Sequence, residues 1–164
     1  MSTLILLSAI PGSGKSTWAK QYASTHPRTH IVSSDQIRLR LFGAVNDFRD
    51  EALVWKTFLE DLHRFGAEEG STVIADSTNL TNEYRRYYVE QTPEFDTHIL
   101  VLFHIPFDIC KKQNLLRTGA SVVPNAVMNQ LHAQFEKPTQ SVMDLYDECI
   151  IVEKNFIADS IKTK

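Results

Sequence analysis

The chain has 164 residues, 43% hydrophobic and 23% charged, with a formal net charge of −3. The length and composition fit one domain of residues 1–164 with a substantial hydrophobic core. The net negative charge argues against broad non-specific nucleic-acid binding, although a local basic groove is compatible with it. No apolar run is long enough to span a bilayer, and the first residues lack a basic region followed by a signal core. Because Cys110 and Cys149 also form no CxxC motif, we expect a cytoplasmic protein without a membrane partner.

Short apolar runs alternate with helical patterns along the chain, which predicts an α/β fold. The predicted strands are Leu4–Ser8, His30–Ser33, Thr72–Ala75, Thr97–His104 and Cys149–Glu153. Predicted helices begin near Lys15, Asp35, Phe48, Thr81, Phe107, Pro124 and Pro138. Such alternation is typical of a parallel sheet covered by helices on both faces, with ligands bound where the strands end.

The stretch "SAIPGSGKSTWAK", residues 8–20, follows the first predicted strand and leads into a helix. Glycines let backbone N–H groups converge, and the helix N-terminus adds free donors and a positive dipole end. The pattern is that of a phosphate-binding loop, although Ala9 fills its first glycine position. The alternative is a tight turn without a ligand. The candidate nucleotide-binding residues are Gly12, Ser13, Gly14, Lys15, Ser16 and Thr17.

Asp35 follows the second predicted strand, in "SSDQIRLRLFG", residues 33–43. Ser33 and Gln36 form a capping box, which predicts a helix start with Asp35 in its first turn. Asp35 can complement the helix dipole or accept the proton of an attacking hydroxyl. Arg38, on the same face, can form a surface ion pair or bind a phosphate or polar group of an acceptor. The spacing alone leaves both alternatives open.

Asp76 ends the third predicted strand, in "VIADSTNLTNEYRR", residues 73–86. A carboxylate at this edge suits a Mg²⁺ site together with the Ser16 hydroxyl. The alternative is a turn and helix cap over residues 76–79, and the position at the strand end favours the metal site. Arg85 and Arg86 could face an anionic acceptor, but a solvated helix face is the favoured interpretation.

The stretch "IPFDICKKQNLLRTGASVVPNAV", residues 105–127, breaks at Gly119 and resumes its helical pattern by Pro124. This predicts a helix, a short mobile stretch and a second helix, which together would form a lid at about residues 111–128. Arg117 could stabilise a transferring phosphoryl group or complement a helix C-terminus. Segment 43–70 is expected to pack on the sheet rather than wall a site. The tail from Asn155 could fray or cover the nucleotide base.

Several stretches together resemble one known family. They are "PGSGKSTWAK", "SSDQIR", "ADSTNL…YRR", "KKQNLLRTGASVVP" and "FEKPT". The chain resembles the kinase domain of 5′-hydroxyl polynucleotide kinases, within the small AAA/zeta-toxin-like group of P-loop kinases. The resemblance implies a five-stranded parallel sheet with a helical lid, and ATP and Mg²⁺ as cofactors. It also implies that Lys15 and Ser16 hold ATP phosphates and Mg²⁺, that Asp35 is the general base, that Arg38 contacts the acceptor phosphate and that Arg117 binds the donor phosphates.

The chain departs from the family pattern at Ala9, which replaces the first loop glycine, and at Gln113, which stands where the family tends to carry a lid arginine. The phosphatase or ligase partner of multi-domain members is not expected in this chain, which weakens the inference of a polynucleotide acceptor.

Three functions follow from the sequence. A polynucleotide 5′-hydroxyl kinase predicts a basic channel to Asp35, fed by Arg38, Arg40 and Arg85. A kinase for a small molecule such as a nucleoside, sugar or antibiotic predicts a closed pocket around the same residues. A nucleotide-binding switch predicts that Asp35 plays no part in turnover.

Overall fold

The computed structural model describes residues 1–153, and the tail from Asn155 lies outside this range. The strands are β1 (Thr3–Ser8), β2 (Thr29–Ser33), β3 (Thr72–Asp76), β4 (Thr97–Phe103) and β5 (Glu148–Val152). The helices are α1 (Lys15–Thr25), α2 (Ser34–Phe42), α3 (Glu51–Gly66), α4 (Asn82–Gln91), α5 (Phe107–Asn114), α6 (Asn125–Gln134) and α7 (Gln140–Met143). A 3₁₀ turn covers Gly119–Ser121. Within residues 1–153, no helix combines the length and apolarity needed to cross a membrane.

The five strands form one parallel sheet in the order β2-β3-β1-β4-β5. This confirms the predicted fold class. In the register of the sheet, Ser33 of β2 lies beside Asp76 of β3, and Leu6 of β1 lies beside Ala75. The residues that follow β1, β2 and β3 therefore meet at one edge, where the sequence predicted a ligand.

Helices cover both faces of the sheet. Successive strand residues point to opposite sides, so each strand contributes apolar side chains to two separate cores. In β1, Leu4 and Leu6 join the core on one face, whereas Ile5 and Leu7 join the core on the other. The first core includes Val54, Phe58 and Leu62 of α3, Tyr88 of α4, and Val73 and Ala75 of β3. The second core includes Ala19 of α1, Cys110 of α5, Met128 of α6, and Ile74 and Val101 of the sheet.

Side-chain caps fix the helix starts around the functional edge. The Ser33 hydroxyl accepts a hydrogen bond from the Gln36 N–H at 3.3 Å, which confirms the predicted start of α2. The sequence placed the start of the next helix near Phe48, but α3 begins at Glu51. The reason is Asp50, whose carboxylate accepts from the Leu53 N–H at 3.1 Å and caps α3 there.

Candidate functional site

The loop between β1 and α1 forms a concave set of backbone donors. Gly12 and Gly14 have φ values of 83° and 94°, in the left-handed region that favours glycine. Gly14 is the N-cap of α1, so the first-turn N–H groups of Lys15, Ser16 and Thr17 have no acceptor within the helix. The positive end of the helix dipole points to the same place. This geometry fits an anion and agrees with the predicted phosphate loop.

Helix α5 packs directly against this loop at Gly12. A Cβ at Gly12 would lie 2.1 Å from the Cys110 carbonyl oxygen, so only glycine fits. Nε2 of Gln113 donates to the Gly12 carbonyl oxygen at 2.6 Å. Gln113 therefore fastens the loop to α5. Burial raises the pKa of the Cys110 thiol to about 11, which is typical of a packing residue rather than a nucleophile.

Ala9, the other departure from the family pattern, is compatible with the loop. Its backbone does not adopt a positive φ, so the position does not need glycine. The Ala9 side chain is fully buried in the core, and its N–H donates to the Thr78 carbonyl at 2.8 Å. The methyl group thus fills space beside the loop without distorting it.

Lys15, Ser16 and Asp76 come together at the ends of β1 and β3. Nζ of Lys15 lies 3.7 Å from Oδ1 of Asp76, and the Ser16 hydroxyl donates to Oδ2 at 3.0 Å. Oδ1 of Asp76 is buried and has no hydrogen-bond partner among the described residues. A buried carboxylate oxygen without a donor is costly unless a cation or a ligand completes its environment.

Asp35 lies between two arginines across the cleft from Lys15. Nη1 of Arg38 donates to Oδ1 of Asp35 at 3.0 Å, and Nη2 of Arg117 lies 3.9 Å from Oδ2. The Asp35 side chain is 42% exposed, so one carboxylate is both held by cations and reachable from the solvent.

Arg38 is held more firmly than the sequence suggested. Its Nε and Nη2 donate to the two carboxylate oxygens of Glu51 at 3.0 and 2.7 Å. The guanidinium also lies 4.9 Å from the ring centroid of Phe48 and 5.7 Å from that of Trp55. Since the side chain is only 7% exposed, its contact with Asp35 is not a surface ion pair. Glu51 and both rings were missed, because no local sequence pattern links α2 to the start of α3.

One cleft of about 230 Å³ joins the two clusters. Predicted site residues in its lining are Lys15, Ser16, Asp35, Arg38, Asp76 and Arg117. Segment 43–70 contributes as well, because Phe48 and Trp55 line the cleft while the opposite face of α3 packs on the sheet. Thr17 lies in the first turn of α1 and is not part of the lining.

The predicted solvated position of Arg85 is wrong, and so is its predicted place in a basic channel. The side chain is fully buried, and it donates to the Ser8 hydroxyl at 3.1 and 3.2 Å and to the Leu80 carbonyl at 3.1 Å. Burial lowers the pKa of the Arg85 guanidinium to about 10. Arg86, its neighbour on α4, is exposed as predicted. Arg40 pairs with Asp61 of α3 at 3.1 Å, so the channel expected from Arg38, Arg40 and Arg85 is not formed.

The segment that the sequence assigned to a lid has the predicted helix–break–helix layout. Helix α5 ends at Asn114, the 3₁₀ turn spans Gly119–Ser121, and α6 starts after Pro124. The Asn114 side chain donates to the Val123 carbonyl at 2.8 Å and accepts from its N–H at 3.0 Å. These two bonds close the connection that carries Arg117.

We expect substitution of Gln113 to destabilise the protein, because its amide bridges α5 and the loop. Gln113→Ala should lower the free energy of unfolding by about 1–2 kcal/mol, and Gln113→Glu by more, since a carboxylate would face the Gly12 carbonyl without a donor. Urea denaturation measures both, with Gln91→Ala at the exposed end of α4 as the control. Unchanged stability of Gln113→Glu would contradict this role.

Comparisons with known proteins agree with this geometry. The family model AAA_33, an AAA domain, matches residues 4–138. L-seryl-tRNA(Sec) kinase of Methanococcus maripaludis is 29% identical over 154 residues, which cover 88% of this chain and 57% of the relative. The chain thus spans little more than half the length of this curated relative.

Solved structures show the same fold at lower sequence identity. A chain of the Pnkp1/Rnl/Hen1 RNA repair complex superposes with a TM-score of 0.73 at 23% identity, covering 89% of this chain and 46% of the other. A gluconokinase from Sinorhizobium meliloti 1021 superposes with a TM-score of 0.60 at 19% identity, covering 95% and 86%.

The family match spans most of the chain and includes the phosphate loop, Asp35, Asp76 and Arg117. The sheet order and the cleft at the strand ends agree with it. The chain therefore belongs to the AAA_33 family of AAA domains.

Proposed function

We propose that this protein transfers the γ-phosphoryl group of ATP to a hydroxyl group, and that the acceptor is the 5′-hydroxyl end of a polynucleotide. One observation carries the proposal. The Asp35 carboxylate lies in the same cleft as Lys15, Ser16 and Asp76, so a hydroxyl beside Asp35 would face a phosphate held at the loop. Bringing donor and acceptor together in this way is the main requirement of phosphoryl transfer.

The loop side of the cleft suits the donor. Backbone N–H groups at the start of α1 and the Lys15 ammonium would bind the phosphates of ATP, with Gly12, Ser13 and Gly14 shaping the turn. Ser16 and Oδ1 of Asp76, which has no hydrogen-bond donor among the described residues, are oxygen ligands of the kind that Mg²⁺ prefers, so these residues fit the metal and would hold it. When bound, the metal would neutralise charge on the transferring group.

Asp35 suits the acceptor side as a general base. As the hydroxyl oxygen forms its bond to the γ-phosphorus, the bond from that phosphorus to the bridging oxygen of ADP breaks, and the hydroxyl proton passes to Asp35. Arg117 lies beside Asp35 and could follow the phosphoryl group across the cleft. The lid predicted at residues 111–128 would move in the connection between α5 and α6, since Gln113 and Met128 near its two ends are buried, and this movement would bring Arg117 to the donor phosphates.

Arg38 would act in two ways. Three of its five N–H donors are engaged, two by Glu51 and one by Asp35, so it orients the base directly. The remaining N–H groups on Nη1 and Nη2 are available for a phosphate of the acceptor. This supports the substrate-binding role that the family resemblance implies.

A polynucleotide acceptor draws support from the family resemblance, whereas the name of the curated relative, L-seryl-tRNA(Sec) kinase, points to an acceptor carried on tRNA. A small-molecule acceptor is the second candidate, and it is favoured by a specific observation. Arg40 is paired with Asp61 and Arg85 is buried, so the basic channel expected for a charged strand is not formed by them.

An acceptor panel with γ-labelled ATP and Mg²⁺ tests the proposal. We expect labelling of single-stranded RNA or DNA with a 5′-hydroxyl and none of the same strands with a 5′-phosphate. Free nucleosides, sugars and aminoglycosides form the second arm. Labelling of a small molecule without labelling of any strand would overturn the polynucleotide acceptor. ATP binding without transfer to any acceptor would favour the nucleotide-binding switch.

A further inference from the structure

A second cavity opens beside the cleft, between α3, the loop after β3 and α4. It has a volume of about 370 Å³ and is larger than the cleft itself. Four aromatic side chains line it, namely Trp55, Tyr84, Tyr87 and Tyr88. We call it the aromatic groove. Trp55, Ser77 and Thr78 line both the groove and the cleft, so the two spaces are continuous.

Three rings of the aromatic groove are exposed, and two of them, Trp55 and Tyr87, are held by contacts with buried rings. Trp55, Tyr84 and Tyr87 are 37%, 55% and 41% exposed. Edge-to-face contacts connect Trp55 to buried Phe58, Phe58 to Tyr88, and Tyr88 to Tyr87, with centroid distances of 5.4, 5.7 and 5.2 Å. Such contacts set the orientations of Trp55 and Tyr87 before any ligand arrives, which limits the entropy that these two rings lose on binding.

A polar atom without a partner lies where the groove meets the cleft. The Ser77 hydroxyl is buried and has no hydrogen-bond partner among residues 1–153. Its neighbour Asn79 is already used, because its side-chain amide donates to the Leu7 carbonyl at 2.8 Å. Buried hydroxyl groups are rarely left unsatisfied, so Ser77, in a wall that also includes Thr78 and Gln134, is a polar group that a ligand could engage.

We propose that the aromatic groove binds nucleobases of the acceptor strand, downstream of the nucleotide whose 5′-hydroxyl faces Asp35. This inference rests on the proposed function. It explains how a protein with a net charge of −3 would hold an anionic strand. Planar bases stack on exposed rings irrespective of sequence, and stacking does not require a basic channel. The Ser77 hydroxyl supplies one polar contact at the entrance. Binding should therefore depend only weakly on salt, unlike binding through many phosphates.

Binding of a fluorescent single-stranded RNA with a 5′-hydroxyl, measured by anisotropy, tests the groove directly. Tyr84→Ala should weaken binding about tenfold, and Tyr87→Ala by a similar factor, because each removes one stacking surface. Tyr84→Phe keeps the ring and should restore binding to within about twofold. Because Tyr84 is exposed, its replacement should leave the fold intact. ATP affinity, measured in the same protein preparations, checks that the donor site is unchanged.

A spectroscopic measurement gives a second readout. With Trp18→Phe as the background, Trp55 becomes the sole tryptophan of the chain, and its emission should be quenched on addition of the RNA. Absence of quenching, or RNA binding that both alanine variants leave unchanged, would overturn the proposal that the aromatic groove binds nucleobases. So would a wild-type protein that binds no strand.

Steady-state kinetics separate failure of the groove from failure of the proposed function. In Tyr84→Ala, KM for a hexanucleotide should rise about tenfold relative to KM for a nucleoside 3′-phosphate, which cannot reach the groove. Equal changes for both acceptors would overturn the groove while leaving the kinase in place. If no acceptor is phosphorylated, the proposed function fails, and the anisotropy measurement still decides whether the rings bind RNA.

Discussion

Replacement of Lys15 by methionine is expected to reduce phosphoryl transfer about 10²–10³-fold, the cost of removing one preorganised charge contact from a transition state. Lys15 is only 11% exposed and lies 3.7 Å from Asp76, so its ammonium is already in place before a nucleotide binds. Preorganised charges in a site that excludes water act more strongly than charges in bulk solvent. Single-turnover transfer from labelled ATP measures the effect.

Methionine keeps the volume of the lysine stem, which separates lost charge from lost packing. Lys20→Met, on an exposed position of the same helix, is the matched control and should transfer at the wild-type rate. Urea denaturation should accompany both, because Lys15→Met leaves the buried Asp76 without its cation. Wild-type transfer by a folded Lys15→Met protein would remove the donor site proposed here.

Replacement of Asp35 by asparagine is the second large effect. We expect kcat to fall about 10²–10⁴-fold, since an amide cannot take the proton from the acceptor hydroxyl. The amide oxygen can still accept from Arg38, so the cleft should keep its shape. ATP affinity, measured by calorimetry, should stay within about twofold of wild type.

Asp108→Asn is the control for this change, because Asp108 is an exposed acid in the first turn of another helix, α5. It should leave kcat unchanged. Loss of turnover in Asp35→Asn with intact ATP affinity would exclude the switch hypothesis. An unchanged kcat would mean that the hydroxyl loses its proton to another group, and the assignment of Asp35 would be wrong.

The positions of Lys15 and Asp76 could be read from the sequence because a parallel sheet brings its strand ends to one edge. Asp76 ends an apolar run, and Lys15 follows another after the glycine-containing loop of residues 9–14, so recognising the strands and this loop was sufficient. The start of α2 was equally accessible, since the bond from Ser33 to Gln36 is local. These predictions needed only short-range patterns and one topological rule.

The surroundings of Asp35 could not be predicted in the same way. Glu51 reaches Arg38 from a helix start 13 residues away, and the position of that helix depends on how α3 packs against the sheet. The aromatic groove likewise combines α3 with α4, whose separation in the sequence gives no signal.

Arg85 was predictable in part. It shares a face of α4 with buried Tyr88 and is followed seven residues later by buried Thr92, which is helical spacing for an inward stripe. The Ser8 hydroxyl and the Leu80 carbonyl, which make the burial tolerable, come from distant or irregular parts of the chain.

The central claim is that the loop from Gly12 to Thr17, with Lys15, Ser16 and Asp76, binds a nucleoside triphosphate beside Asp35. Calorimetric titration of the folded protein with ATP at millimolar Mg²⁺ tests it most directly. We predict saturable binding at one site that is lost in Lys15→Met and kept in Asp35→Asn. No binding of any purine triphosphate by well-folded protein, or binding that Lys15→Met leaves unchanged, would contradict it.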